Sequence, residues 1–253
     1  MLAIERKNEI LARLRSEQRV LVSELSAQYN VTEETIRRDL EKLEQEGYAT
    51  KTYGGAILAE STKTDLSHSI RAKTNVEAKR KIAKTVAELV ENGDHLMMDD
   101  SSTSLFVARE LKKKKNLTII TNSIEIIIEL ANVESFSVLS TGGWLKENSL
   151  ALVGHQAEQT IRSFHVDKAI ISCKGIDTAH SITDSSEVHT LTKHAMISSA
   201  RKTILAADSS KFGKVAFVQI APLSALDTIV TEKAPDEAFQ TLCRRLDIDC
   251  LYS

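Results

Sequence analysis

A chain of 253 residues with 42% hydrophobic and 27% charged side chains has the composition of a globular protein with a sizeable core. Two prolines, nine glycines and no internal repeat exclude a low-complexity or repeat architecture, and no apolar run approaches the ~20 residues of a membrane-spanning helix. The net charge of −2 excludes a uniformly basic nucleic-acid-binding protein, so any affinity for DNA has to come from the local placement of cations.

Residues 1–58 predict a winged helix-turn-helix domain. An amphipathic helix at the N-terminus leads to a short strand at Arg19–Leu21, and two short amphipathic helices follow at Val22–Tyr29 and Val31–Leu43. The tight connection between these two helices is centred on Asn30, which tolerates the left-handed backbone that such a turn requires. In a helix-turn-helix the second helix enters the major groove of DNA, so the later helix is the expected recognition helix.

The segment after the recognition helix predicts a β-hairpin, which makes the arrangement a winged one. Residues 48–56, YATKTYGGA, combine strand-forming residues with paired glycines at a turn. With the motif at about residues 20–39, the candidate DNA-binding residues are Thr32, Thr35, Arg37, Arg38, Lys42, Lys51, Tyr53, Gly54 and Gly55. Residues 1–58 carry nine basic and ten acidic side chains, so an ordinary solvated surface helix stays open as the alternative.

The pattern changes twice after the wing. Residues 59–75 are rich in Ser, Thr, Lys and Asp and are expected to form a linker. Residues 76–253 alternate apolar strands with amphipathic helices, which is typical of an α/β domain with a mostly parallel sheet. The predicted strands are His95–Asp99, Leu117–Thr121, Ser137–Thr141, Lys168–Cys173, Thr203–Ala207 and Thr228–Thr231. The predicted helices are Val76–Glu91, Thr103–Lys112, Ile124–Ala131, Gln156–Ser163, Glu187–Ala200 and Asp236–Leu246.

Small polar residues or glycines follow five of the predicted strands, at the edge where parallel sheets bind ligands. Hydroxyls and N–H groups at a helix start bind phosphate, and Asp or Asn side chains bind sugar hydroxyls. The candidate effector-binding residues are Asp99, Ser101, Ser102, Thr103, Ser104, Asn122, Ser123, Gly142, Gly143, Lys174, Asp208 and Lys211. The ligand expected from this set is a phosphorylated sugar, while a plain helix cap explains the first loop alone equally well.

Several stretches resemble the DeoR family of bacterial repressors. ETIRRDLEKLEQEG followed by KTYGGA is similar to the N-terminal signature of that family, and TNSIEI, STGGWLKENSLALVG, KAIISCKGID and ILAADSSKFGKVAF are similar to its effector-binding half. In the family that half is similar to ribose-5-phosphate isomerase and senses phosphorylated sugars, so the resemblance implies the same fold and ligand class. It also implies that Asp99, Ser102, Thr103 and Ser104 form the phosphate loop, in which Ser101 replaces a glycine of many members.

Lys174 stands where many members of the family carry an aspartate, and the isomerases have a catalytic aspartate in the related motif. A lysine removes an acid that isomerisation needs and supplies a cation suited to an anion. The alternative is a sugar-phosphate isomerase fused to a DNA-binding domain, with Glu187 as substitute base. We expect no enzyme, but a repressor of a carbohydrate-utilisation operon that binds operator DNA as a dimer or tetramer.

Three cysteines, Cys173, Cys243 and Cys250, lack the spacing of metal ligands. Because the N-terminus does not have the pattern of a signal peptide, we expect free thiols in a reducing compartment. The expectation is therefore a cytoplasmic, nucleoid-associated protein with no metal, no cofactor and no membrane partner.

Overall fold

The computed structural model describes residues 2–45, 48–58, 68–146, 149–179 and 181–252. The chain divides into two compact units, an N-terminal one at Met1–Ile70 and a C-terminal one at Arg71–Ser253. Residues 59–67, which make up half of the predicted linker, lie outside the described residues. The remainder of that linker contains a short helix, His68–Lys73, which its polar composition did not predict.

The N-terminal unit has the winged helix-turn-helix fold that the sequence predicts. Its elements are α1 (Ala3–Glu17), β1 (Arg19–Leu21), α2 (Val22–Tyr29), α3 (Glu33–Gln45), β2 (Ala49–Thr52) and β3 (Gly55–Leu58). The strands pair antiparallel in the order β1-β3-β2, so the predicted hairpin and the short strand before α2 form one small sheet. Between α2 and α3, Asn30 has a φ of 52°, the left-handed conformation expected for this turn.

A buried ion pair inside this unit joins α1 to α3. The Arg6 Nε donates to Asp39 Oδ2 over 2.6 Å, and both residues are buried. Around the pair, α1, α2 and α3 share an apolar core formed by Ile10, Leu14, Leu25, Ile36, Leu40 and Leu43. Because Asp39 is held inward, Arg37 and Arg38 lie on the solvent side of α3. The recognition helix is thus fixed in rotation by a contact that its sequence pattern did not reveal.

The remaining elements alternate along the chain as predicted. The helices are α4 (His68–Lys73), α5 (Val76–Glu88), α6 (Ser102–Leu111), α7 (Ile124–Leu130), α8 (His155–Arg162), α9 (Glu187–Ser198) and α10 (Glu237–Arg245). The strands are β4 (His95–Met98), β5 (Thr118–Thr121), β6 (Ser137–Ser140), β7 (Trp144–Lys146), β8 (Ala151–Val153), β9 (Val166–Ile171), β10 (Gly175–Asp177), β11 (Ser181–Asp184), β12 (Ala200–Ala206), β13 (Val218–Ala221), β14 (Thr228–Thr231) and β15 (Asp249–Tyr252). None of the described helices is long and apolar enough to cross a bilayer.

Seven of the described strands form one parallel sheet, in the order β15-β14-β12-β9-β4-β5-β6. Successive residues along the central strands point to opposite faces, so Met97 belongs to one apolar core whereas Leu96 and Met98 belong to the other. Helices α5, α6 and α7 cover one core, and α8, α9 and α10 contribute to the other. The all-parallel sheet is therefore buried on both faces, as its continuous apolar strands predict.

Six strands of the large sheet agree with the sequence-based prediction, but the smaller strands do not appear in it. The sequence predicts a loop at Lys174 to Asp177, whereas Gly175–Asp177 is β10 and pairs antiparallel with β11, which pairs in turn with β13. Strands β7 and β8 form a separate antiparallel pair beyond Gly142 and Gly143. Strands of three or four residues are too short to set up a readable hydrophobic period.

The order of strands creates a crevice at the carboxyl edge of the sheet. From β4 the chain continues to β5 and β6 on one side, whereas β9, β12, β14 and β15 extend the sheet on the other. Neighbouring strands β4 and β9 are thus followed by connections that diverge, and ligands of open α/β sheets bind at such a switch point.

Two adjacent glycines at the wing give a matched pair for testing the N-terminal unit. A Cβ on Gly55 would lie 1.9 Å from Val20 O, whereas a Cβ on Gly54 meets nothing within 4 Å. We expect Gly55→Ala to lower the free energy of unfolding of this unit by about 1–3 kcal/mol, and Gly54→Ala to have little effect. Chemical denaturation followed by circular dichroism measures this change, and fluorescence of Trp144, the single tryptophan, reports on the other unit as a control. Equal stability of the two variants would contradict the close approach of Gly55 to β1.

Candidate functional site

Asp99, just after β4, holds together the loop that leads into α6. Its side chain is buried; Oδ1 accepts hydrogen bonds from the Ser101 N–H (3.1 Å), the Ser101 hydroxyl (2.6 Å) and the Ser104 hydroxyl (2.5 Å). Oδ2 accepts from the Ser172 N–H at the end of β9 (2.9 Å). The sequence suggested ligand contacts for Asp99, Ser101 and Ser104, but their side chains are engaged with one another. These three residues form the hydrogen-bonded frame of the loop, which fixes its conformation.

Ser102 and Thr103 lie inside this frame, in the first turn of the ten-residue helix α6. Unlike Ser101 and Ser104, their hydroxyls have no hydrogen-bond partner among the described residues. First-turn N–H groups and the positive end of the helix dipole favour an anion at this position. The loop therefore offers two hydroxyls and a helix start to a phosphate.

A second polar group follows β12. Asp208 Oδ1 accepts hydrogen bonds from Asn75 Nδ2 and from the Ser210 N–H, each at 3.1 Å. Burial opposes the ionisation of Asp208, but the charge of Lys211 and the hydrogen bonds of Ser210 outweigh it and hold its pKa below the usual value. Lys211 is half-buried, and among the described residues its ammonium has no ion-pair partner within hydrogen-bonding distance. This cation is available to a ligand.

Lys79 is a buried cation that the sequence-based prediction missed. Its ammonium donates to the carbonyl oxygens of Arg71 and Thr74, the latter at 2.7 Å. Burial lowers the pKa of Lys79 to about 8, although the nearby Asp208 carboxylate opposes the shift. A lysine on the inward, otherwise apolar face of α5 was the available signal, since such residues are seldom buried without a role.

Lys193 on α9 is a second buried cation that was missed. Its ammonium donates to Asp184 Oδ2 (2.5 Å) and to Ser172 O (2.9 Å), and lies 3.5 Å from Asp99 Oδ2. Burial disfavours the charged form of Lys193, but the charges of Asp184, Asp99 and Asp100 outweigh it and raise its pKa. Lys193 is therefore a permanent cation that offsets part of the negative charge of the acids beneath the loop after β4.

Two of the candidate effector residues have structural roles instead. Ser123 Oγ accepts from the Ile126 N–H over 3.3 Å and caps α7, which is the ordinary role of a serine at a helix start. Gly143 has a φ of 109°, and a Cβ there would lie 2.6 Å from Val153 O. Gly143 thus allows the β7–β8 pair to approach the strand end.

The other candidates lie at the same edge of the sheet. Asn122 is fully buried at the end of β5, and Gly142 follows β6 with a φ of 65°. Lys174 is half-buried after β9, and its N–H donates to Thr183 O over 2.9 Å. Burial raises the pKa of Cys173, beside Lys174, to about 12, so this thiol is not a nucleophile near neutral pH.

The described residues contain no group of three His, Cys, Asp or Glu side chains arranged to hold a metal ion. Their three cysteines are free.

The candidate DNA-binding residues on α3 form an exposed face. Arg37 pairs with Glu33 (2.9 Å) and Arg38 with Glu34 (3.3 Å), each one helical turn away, and the arginine side chains are 53% and 73% exposed. Exposed pairs of this kind contribute only about 0–1 kcal/mol, so both guanidinium groups can exchange glutamate for phosphate. The face thus presents two exposed guanidinium groups, each paired with a glutamate, in a unit that is not basic overall.

The wing adds exposed residues to the candidate DNA-binding surface, but one of the predicted residues, Gly55, is buried. Lys51 and Gly54 are exposed, and Tyr53 between the two strands is fully exposed. Gly55, also proposed to contact DNA, is instead buried against Val20 O, where only a glycine fits. On α3, Thr32 and Lys42 are exposed and Thr35 is half-buried, with the two threonine hydroxyls 2.9 Å apart.

Comparison with known protein families assigns both units. A DeoR-like helix-turn-helix domain matches residues 6–62, and a DeoR C-terminal sensor domain matches residues 74–233. Among solved structures, ribose 5-phosphate isomerase A from Methanocaldococcus jannaschii aligns with a TM-score of 0.41 and 18% identity over 55% of each chain.

Relatives over nearly the full length carry the same assignment. The chain is 42% identical to YulB of Bacillus subtilis, an uncharacterised HTH-type transcriptional regulator, over 94% of this chain and 92% of the relative. It is 32% identical to the glycerol-3-phosphate regulon repressor of Escherichia coli over 91% of each chain. Sequence, fold and relatives agree: the chain belongs to the DeoR family of helix-turn-helix transcriptional regulators.

Proposed function

We propose that this protein is a repressor of a carbohydrate-utilisation operon, that it binds operator DNA through α3 and the wing, and that a phosphorylated sugar bound to the C-terminal unit controls it. The observation that carries the proposal is the presence, at one edge of one sheet, of the Ser102 and Thr103 hydroxyls and the Lys211 ammonium, three groups without a partner among the described residues. The relative from Escherichia coli is named a repressor of a glycerol-3-phosphate regulon, which supports a phosphorylated ligand.

The charges at the carboxyl edge of the sheet favour one phosphate group. Ser102 and Thr103 supply hydroxyls at the positive end of the α6 dipole, and Lys211 and Lys79 supply positive charge beside Asp208. Lys193 pairs with Asp99 and Asp184, which offsets part of the negative charge beneath these groups. Hydroxyl groups of the same ligand then meet the Asp and Asn side chains at the neighbouring strand ends.

The exposed face of α3 is suited to duplex DNA, and an oligomer of the protein is the form that binds it. The cations of this surface are few, and three of them, Arg37, Arg38 and Lys51, are paired with glutamates of α3. One recognition helix of this charge binds weakly, so affinity depends on two copies reading paired half-sites as a dimer or tetramer. Binding of this kind weakens steeply as salt is raised.

The alternative, a sugar-phosphate isomerase, lacks a suitable base among the described residues at this edge. Proton abstraction beside a carbonyl needs a carboxylate whose pKa is tuned upwards toward neutrality. Asp100, Asp184 and Asp208 are each buried there, yet partner cations or hydrogen bonds hold their pKa values below normal. Glu187, the substitute base suggested by the sequence, is exposed at the start of α9. Binding without turnover is the function that these groups support.

Removing the two arginines of α3 tests the DNA-binding assignment. Arg37→Ala with Arg38→Ala should weaken operator binding by tenfold or more at about 0.1 M salt, because contacts to phosphates are lost. Each lost contact should also lower the slope of log K against log salt concentration by about one unit. Fluorescence anisotropy with genomic operator fragments measures both quantities. Arg244→Ala with Arg245→Ala, an exposed arginine pair on α10, is the matched control. Unchanged binding by the α3 variant would show that α3 does not face the DNA.

Removing groups at the proposed phosphate site tests ligand control. Lys211→Ala and Ser102→Ala should each weaken binding of a phosphorylated sugar by about tenfold, the loss expected for one hydrogen bond to a charged group. A thermal-shift titration with phosphorylated sugars measures this, since bound ligand raises the unfolding midpoint. Lys202→Ala, which removes an exposed lysine nearer the other end of β12, is the control. Wild-type affinity in both site variants would remove the phosphate site from this edge.

The lowered pKa of Lys79 gives ligand binding a pH dependence. Because that pKa is about 8, the ammonium deprotonates as the pH rises through 8 and no longer attracts phosphate. Affinity for a phosphorylated sugar should therefore fall between pH 7 and 9 in the wild type. Lys79→Arg keeps the charge over this range and should show a flatter profile. Isothermal titration at several pH values measures this, and identical profiles would exclude a contribution from Lys79.

A further inference from the structure

Three buried polar side chains meet between β4, β5 and α9, beside the loop that begins α6. Asp100 Oδ1 lies 3.2 Å from His189 Nδ1 and 3.4 Å from Asn122 Nδ2, and each of the three residues is at most 5% exposed. Asn122 Nδ2 also donates to Leu152 O over 3.2 Å, which fixes the orientation of the amide. The sequence alone assigned no role to Asp100 or His189.

This cluster has unused hydrogen-bonding capacity. Asn122 Oδ1 is buried without a partner among the described residues, and so is the hydroxyl of Thr190, the neighbour of His189 on α9. A buried polar atom without a partner costs about 1–3 kcal/mol, and native proteins pair nearly all of them. The amide nitrogen of Asn122 is held by two hydrogen bonds while its oxygen stays unsatisfied, which indicates a donor that arrives from outside the chain.

The charge of the cluster selects the kind of donor. Burial alone would raise the pKa of Asp100, but the charge and hydrogen bond of His189, with Lys193 and Arg71, outweigh it and lower the pKa. An ionised carboxylate accepts hydrogen bonds and repels phosphate, and the free amide oxygen of Asn122 also only accepts. The cluster therefore suits neutral donors such as hydroxyl groups.

The position of the cluster suits the far end of a phosphorylated ligand. Asp100 directly precedes Ser101, so the cluster adjoins the hydroxyls of Ser102 and Thr103. Neighbouring strands are about 4.8 Å apart, so a chain of a few carbon atoms reaches from the α6 start to the end of β5.

We propose that Asp100, Asn122 and His189 form a second subsite of the C-terminal unit, which binds hydroxyl groups of the sugar and selects among phosphorylated sugars. The inference rests on the proposed function, because it assigns the carbon skeleton of the same ligand. A site that bonds a hydroxyl rejects analogues lacking it, since its buried polar groups are then left unpaired.

Asp100→Asn and Asn122→Ala test the subsite by separating the two ends of the ligand. A panel of hexose and pentose phosphates is titrated first on the wild type, by thermal shift and calorimetry, to find the preferred sugar phosphate. Both variants should then bind that sugar phosphate at least tenfold more weakly, and should discriminate less against its deoxy analogues. Inorganic phosphate should bind to Asp100→Asn as tightly as to the wild type or more tightly, because a negative charge has been removed.

Asp167→Asn is the matched control. Asp167 also pairs with a histidine, His95, over 3.4 Å, but at the opposite, amino-terminal edge of the same sheet, so its replacement should leave every affinity unchanged. Wild-type affinity and selectivity in both subsite variants would overturn the inference, as would an equal loss of sugar phosphate and inorganic phosphate in both. A wild type that binds no sugar phosphate would overturn the proposed function and the subsite with it.

Discussion

The hydrogen bonds and the ion pair of the Asp99 carboxylate are the interactions on which the arrangement of the proposed ligand site depends most. A buried carboxylate is costly to place unless its oxygens are filled, and here Ser101, Ser104 and the N–H of Ser172 fill them while Lys193 supplies the opposite charge. These bonds join the end of β4, the start of α6, the end of β9 and the middle of α9. The carboxylate holds Ser101 and Ser104, whereas the hydroxyls of Ser102 and Thr103 have no partner among the described residues. Loss of this acid would remove the acceptor shared by Ser101, Ser104 and the Ser172 N–H, so the loop, the start of α6 and the end of β9 would no longer be joined through it.

The N-terminal unit has to bind DNA, a polyanion, although its own net charge is close to zero. Its buried pair, Arg6 and Asp39, fixes α3 in rotation without adding net charge to the surface. The exposed arginines of α3 are screened by glutamates one turn away, which weakens long-range attraction to any DNA. The proposed pairing of two copies would raise the affinity, because two recognition helices and two wings would then contact phosphates at once. Low affinity for a single half-site then favours discrimination between operator and random DNA.

Much of the fold could be predicted from the sequence, because helices and strands leave periodic patterns of apolar residues. Much of the site could not be predicted, because it depends on single residues that form no pattern. The apolar strands, the turn at Asn30 and the wing glycines each follow from local pattern or backbone preference. Asp99 was assigned to the ligand because an acid at a strand end resembles a binding group, and only three-dimensional contacts reveal that its oxygens are occupied. Lys79, His189 and Lys193 fall on inward helix faces as polar residues in apolar stripes. That signal marks a residue as unusual but does not identify its partners. Lys79 is bonded to nearby backbone carbonyls, whereas His189 and Lys193 contact residues at the ends of strands that are distant in the chain.

Ligand control requires that the occupied and empty sensor differ at the segment leading back to α3. Within the C-terminal unit, Lys79 interacts both with this segment and with the proposed phosphate site. Its ammonium is bonded to carbonyls of Arg71 and Thr74, at and just beyond the end of α4, while its charge interacts with Asp208 and Lys211 at the proposed phosphate site. If the proposed phosphate binds beside Lys211, its charge would attract the ammonium of Lys79 and compete with those carbonyls. Asn75 is hydrogen-bonded to Asp208 in the same region. A ligand can shift an equilibrium only by its differential affinity for two states, and this competition would supply such a difference at Arg71 and Thr74.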